Sequence, residues 1–102
     1  MNNPRTPVSE YAIAIPVVND GTFNFSFSSR LPDGSYKFTF KWYLNRWNVE
    51  VLDYNGEMRF ATIYPNVVAW SEYADHSLVF RTDKTSIGQN GLTDVSMFMV
   101  YW

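Results

Sequence analysis

The chain has 102 residues, no cysteine and a formal net charge of −2, which is enough for one domain and too little for two. Without thiols there is no disulfide framework, thiolate metal site or cysteine nucleophile. The acidic balance disfavours nucleic acid or an anionic membrane as a partner. No apolar run reaches the ~18 residues of a membrane span. Met1-Asn2-Asn3-Pro4-Arg5 lacks the charged-then-apolar pattern of a leader, so the expectation is a protein used in a cytoplasm or assembled there. Aromatics make up 19% of the chain. That exceeds what so small a core needs, and some are expected on a second buried face or a contact surface.

Residues 1–9, with Pro4 and Pro7, read as an extended arm, and residues 10–102 as a single all-β domain. Glu10–Val18 is apolar and β-rich, and Pro16 places this strand at an edge or ends it. Phe23, Phe25 and Phe27 then alternate with Asn24 and Ser26, a period of two. Arg30-Leu31-Pro32-Asp33-Gly34 is turn chemistry. Tyr36, Phe38, Phe40 and Trp42 alternate with Lys37, Thr39 and Lys41, and Trp47, Val49 and Val51 follow a break at Leu44-Asn45. Asn55-Gly56 is the strongest two-residue hairpin signal in the chain, and Met58, Phe60 and Thr62 continue the alternation beyond it.

These segments predict a four-stranded antiparallel meander over about residues 22–64. Together with N- and C-terminal strands it forms a small β-barrel or sandwich. Residues paired across an antiparallel ladder share a face, so the registers can be tested against one another. A three-residue Pro32-Asp33-Gly34 loop sets Ser26 opposite Phe40 and scatters the phenylalanines. A four-residue loop, Leu31 to Gly34, pairs Phe27 with Phe38, Phe25 with Phe40 and Phe23 with Trp42, and is preferred. A turn at Leu44-Asn45 pairs Trp42 with Trp47, Phe40 with Val49 and Phe38 with Val51. A two-residue Asn55-Gly56 loop pairs Val51 with Phe60, Val49 with Thr62 and Trp47 with Tyr64. The expected core aromatics are therefore Phe25, Phe38, Phe40, Trp42, Trp47 and Phe60. The opposite face is expected to carry Asn24, Ser26, Lys37, Lys41, Glu50 and Arg59, with Leu52, Ala61 and Ile63 toward one end.

Beyond Pro65 the pattern weakens. Residues 66–75 suit an irregular strand or one helical turn, 77–82 a strand, and 83–94 a polar loop. The closing Val95–Trp102 is apolar on both faces, as in a strand central to a sheet or covered by a partner.

No catalytic constellation emerges. His76, the single histidine, follows Glu72 and Asp75; the spacing permits a metal site on a helix, and the simpler reading is a polar loop before a strand. No Gly-x-Ser-x-Gly elbow accompanies it. Glu50 and Asp53 fall on opposite faces of one strand, and Asp53 and Glu57 belong to a hairpin turn, so no carboxylate pair flanks a bond. Gly88-Gln89-Asn90-Gly91 lacks the Lys-Ser/Thr ending of a phosphate loop. Lys37, Lys41, Arg46 and Arg59 make only a modest patch for single-stranded nucleic acid. A carbohydrate-binding β-sandwich is the serious alternative, with Trp42, Tyr43, Trp47 and Trp70 as a stacking platform; the hairpin register instead makes Trp42 and Trp47 a core pair.

Tyr36–Tyr43 followed by Trp47, Val51, Asp53 and Gly56 resembles the strand–hairpin pattern of small baseplate plug or hub proteins of contractile-tailed bacteriophages. Ile13-Ala14-Ile15-Pro16 is similar to that family's opening strand, and Leu92–Tyr101 to its closing turn and apolar strand. One departure is that Ala61–His76 contains no glycine where the family is glycine-rich. The resemblance implies a non-enzymatic structural component of the virion, assembled in the host cytoplasm into the tail baseplate. It would be present in several copies against tail-tube or hub proteins, with no cofactor, metal, membrane or direct nucleic-acid contact. The proline-bearing arm and the doubly apolar last strand suit such a subunit, which makes Pro4, Arg5, Pro7, Phe98, Val100 and Trp102 the expected contacts.

Overall fold

The computed structural model describes residues 11–18, 21–70 and 76–101; the expected arm and Trp102 lie outside them. Among these residues seven strands follow in order: β1 Tyr11–Ile15, β2 Asn24–Leu31, β3 Gly34–Tyr43, β4 Arg46–Leu52, β5 Met58–Thr62, β6 His76–Arg81 and β7 Ser96–Tyr101, the last preceded by a 3-10 turn at Gly91–Asp94. They form two antiparallel sheets, the meander β2-β3-β4-β5 and a three-stranded sheet β1-β7-β6. No strand of one sheet pairs with a strand of the other, so the fold is an open all-β sandwich and not a closed barrel.

The meander follows from its side-chain alternation and its turns. Between β2 and β3 the register is the expected one, Phe27 opposite Phe38 and Phe25 opposite Phe40. The turn closes one pair tighter than a four-residue loop, because Leu31 pairs with Gly34 and leaves Pro32-Asp33 at the tip. Gly34 has φ +142, and a Cβ there would lie 2.5 Å from the Cβ of Tyr54, so only glycine fits. Between β3 and β4, Leu44 and Asn45 both take positive φ, 55° and 60°. That is the handedness a two-residue hairpin turn needs, and Trp42 faces Trp47 as expected.

The β4–β5 hairpin departs from expectation by one residue. Val51 pairs with Arg59 and Glu50 with Phe60. The cause is Asp53: its Oδ1 accepts the backbone N–H groups of Asn55 and Glu57, each at 2.9 Å, while its own N–H donates to the carbonyl of Glu57 at 2.9 Å. The turn therefore spans Asp53 to Glu57 and is wider than a two-residue Asn-Gly loop. A one-residue slip turns every side chain of a strand over. Phe60, expected in the core, is 69% exposed on the outer face. Arg59, Ala61 and Ile63 turn inward instead, and Ile63 is buried.

The core lies between the sheets. Phe25, Tyr36, Phe38, Phe40, Trp47, Val49 and Val51 from the meander meet Ile15, Leu78, Phe80, Met97 and Met99 from the second sheet. Phe40 meets Phe80 edge-on at 6.0 Å between ring centroids. Trp42 is partly buried at the end of this cluster. β7 is the central strand of its sheet, as its two apolar faces require. Between β5 and β6, Pro65 and Val68 make isolated bridges to Phe80 and Val79, so 65–70 borders β6 as an irregular edge and the reading of 66–75 as a helical turn does not hold for residues 66–70. His76 opens β6 and is buried, contrary to the expected polar loop.

Candidate interaction surfaces

Two polar clusters hold the sandwich in shape. Asp33, at the β2–β3 tip, accepts the phenol of Tyr36 through Oδ2 at 2.6 Å and that of Tyr101 through Oδ1 at 3.0 Å. It thus ties the meander to the central strand of the other sheet. Burial pushes the Tyr36 phenol far up, and the hydrogen bond to Asp33 adds to this, so the phenol stays protonated as a donor. The His76 ring stands edge-on to Tyr36 at 5.8 Å and to Trp70 at 6.1 Å.

The second cluster is at the β4–β5 turn. Burial pushes the Asp53 carboxyl up, but the backbone N–H groups of Glu57 and Asn55 and the Arg59 guanidinium outweigh it and hold the group below the usual carboxylate range. Arg59 Nη1 lies 3.1 Å from Asp53 and Nη2 3.3 Å from Glu57. The arrangement is a satisfied ion pair built to hold a turn. Its signal in the sequence is an aspartate just ahead of Tyr54-Asn55-Gly56, a residue type that caps its own turn.

The outer face of the meander is polar and internally paired. Lys41 Nζ meets Glu50 at 3.0 Å, Thr62 Oγ1 donates to Asn48 Oδ1 at 2.9 Å, and Ser26 and Thr39 share a hydrogen bond. A shallow depression of about 260 Å³ lies among Lys41, Asn48, Glu50, Phe60 and Thr62. Its polar groups are thus already committed to one another. Toward the β5 edge this face becomes apolar, with Met58 46% exposed beside Phe60.

The outer face of the second sheet differs. Across β1, β7 and β6 the outward residues are Ala12, Ala14, Val100, Phe98, Ser77 and Val79, with Ser96 and the exposed Arg81 paired at one end. The middle of the face is therefore apolar and its one charge is terminal. Phe98 and Val100 are partly buried there. Pro4, Arg5, Pro7 and Trp102 lie outside the described residues, as do Glu72 and Asp75.

The residues expected to form a stacking platform do not share a surface. Trp47 is buried, its Nε1 donating to the Gly88 carbonyl at 3.0 Å, and Trp42 and Tyr43, as neighbours on β3, face opposite sides. Of the modest basic patch, Lys41 and Arg59 are held by carboxylates, and Arg46 stacks over Tyr64 at 5.1 Å. Among the described residues no group of three His, Asp or Glu side chains is placed to hold a metal ion. Comparison with protein-family models, with curated proteins and with solved structures gave no match.

Proposed function

We propose that this chain is a non-catalytic assembly subunit, a component of a phage tail baseplate that packs against tail-tube or hub proteins. One observation carries the reading: the outer face of β1-β7-β6 presents Ala12, Ala14, Val79, Phe98 and Val100 as one apolar group, with the polar Ser96 and charged Arg81 confined to one end. A half-solvated antiparallel sheet alternates apolar and polar residues, whereas one apolar on both faces is made to be covered. The baseplate identity of the covering partner comes from the resemblance of the Tyr36–Gly56 hairpin to that family.

The test pairs mass spectrometry of purified tail particles with the variant Phe98→Thr/Val100→Thr. The variant is expected to stay folded, because threonine keeps the strand preference, and to be lost from assembled tails. Absence of the natural chain from tail particles, or normal incorporation of the variant, overturns the reading. Deleting residues 1–9 is likewise expected to leave a folded domain that no longer incorporates.

A further inference from the structure

The two sheets have four edges, and three of them are blunted. The β6 edge is bordered by 65–70, where the N–H of Asn66 donates to the Phe80 carbonyl at 2.7 Å and that of Ala69 to the Leu78 carbonyl at 2.8 Å. β1 spans only Tyr11–Ile15 and runs into Pro16. β2 carries Asn24, Ser26, Ser28 and Arg30 on its exposed positions, the polar and charged trim that discourages strand addition.

β5 is as short as β1, but among the described residues no segment pairs with its outer edge, no proline directly follows it and no charge trims its outward positions. The N–H of Ile63 donates to the Trp47 carbonyl at 2.9 Å, which sets the phase of the ladder. Arg59 and Ala61 point their backbone groups at β4, while Met58, Phe60 and Thr62 point theirs at the open edge. The side chains at those same three positions stand on the outer face without a charge, and Phe60 is 69% exposed. The one charged residue of the strand, Arg59, is turned inward and engaged by Asp53.

We infer that β5 pairs with β5 of a second copy of this chain. The pairing is antiparallel about a two-fold axis at Phe60 and joins the two four-stranded sheets into one continuous sheet. Self-pairing is favoured because the strand complements itself. Met58–Thr62 is five residues long with Phe60 at its centre, so this axis uses the whole strand. It sets Phe60 opposite Phe60, Met58 opposite Thr62, and Arg59 opposite Ala61, with no like charges facing. Moving the axis to Arg59 would set two guanidinium groups against each other, which cross-strand pairing penalises. Edge pairing over five residues is smaller than a standard interface of roughly 1,600 Å², so a weak, concentration-dependent dimer is expected.

The chain has no cysteine, so a single substitution reports on the pairing. In Phe60→Cys the two-fold places residue 60 opposite itself with Cα atoms about 5.5 Å apart, inside the range a disulfide spans. Mild oxidation with glutathione disulfide is expected to yield cross-linked dimer at least ~10-fold faster than for Ser28→Cys on the β2 edge, the margin that about 1.4 kcal/mol of preferential pairing gives. Sedimentation of the unmodified full chain is expected to show reversible dimer that Thr62→Pro weakens at least ~10-fold, the same margin. That proline removes an outward N–H and no backbone hydrogen bond to β4, but it also loses the Thr62 hydroxyl's bond to Asn48. Thr62→Val, which loses only the latter, is therefore the reference: the two dilute variants should melt alike, and only the proline should weaken the dimer. A monomer at all concentrations, equal cross-linking at both edges, or a dimer indifferent to Thr62→Pro overturns the inference. Because only the purified chain is used, these outcomes are independent of whether it enters tail particles.

Discussion

The two sheets of this sandwich share one core but treat their outer faces differently. The meander alternates strictly: Phe25, Phe38, Phe40, Trp47 and Val49 go inward, while Ser26, Thr39, Lys41, Asn48 and Glu50 go outward and pair among themselves. The second sheet buries Ile15, Leu78, Phe80, Met97 and Met99 and still presents Ala12, Ala14, Val79, Phe98 and Val100 on its other side. The same hydrophobic effect drives both inner faces. The first outer face is polar over most of its width, whereas the second is polar only at its Arg81–Ser96 end. The second sheet is thus where a partner is expected, and the meander's exposed apolar residues matter chiefly where its polar trim stops at β5.

The largest effect should separate inner from outer positions within one sheet. Phe40→Ala removes a fully buried ring that packs on Phe25 at 5.1 Å and Phe80 at 6.0 Å and should cost about 3–5 kcal/mol in urea denaturation. Phe60→Ser at low protein concentration should stay within about 0.5 kcal/mol. Similar costs at the two positions would remove the distinction between the faces.

Next comes the turn that decides the register. Asp53→Ala should cost about 2–4 kcal/mol, because it leaves two N–H groups without their acceptor and Arg59 without its closest partner. The folded Asp53 carboxyl titrates below its unfolded value. Its contribution is therefore fully present above about pH 4 and is lost as the pH falls through the folded pKa. Urea titrations at pH 7 and at about pH 2.5 should show the gap between natural chain and Asp53→Asn narrowing in acid. A gap that widens in acid would mean the carboxylate is not the stabilising form.

The smallest effect probes how the sheets are joined. Tyr101→Phe removes the hydrogen bond to Asp33 Oδ1 and should cost about 1 kcal/mol. Amide exchange in β7 should rise more than in β4, since the tie belongs to the second sheet. Equal change in both strands would show that Asp33 does not couple the sheets in this way.

Much of the meander was legible because a strand with one buried face announces itself at period two. Phe25, Phe38 and Phe40 locate their own partners, and Pro32-Asp33-Gly34 and Leu44-Asn45 set two of the three turns. The third turn misleads for a physical reason. Asn55-Gly56 is a local signal, but Asp53 recruits the N–H groups of Asn55 and Glu57 and widens the loop, so Phe60 moves from core to edge while Arg59 goes inward to its carboxylate. No local pattern distinguishes these outcomes, since Met58, Phe60 and Thr62 alternate equally well on either face.

The sequence by itself determined that the chain is all-β, that Phe25, Phe27, Phe38, Phe40, Trp47, Val49 and Val51 form one face, and that the last strand, apolar on both sides, is either central or covered by a partner. Those properties follow from side-chain periodicity and turn chemistry, which act over a few residues. Tertiary structure alone decided which strands flank β7, that Asp33 bridges the sheets 68 positions away at Tyr101, and which edge is left unpaired among the described residues. These depend on contacts between segments far apart in the chain, where the choice is made by packing and hydrogen-bond satisfaction and not by local pattern.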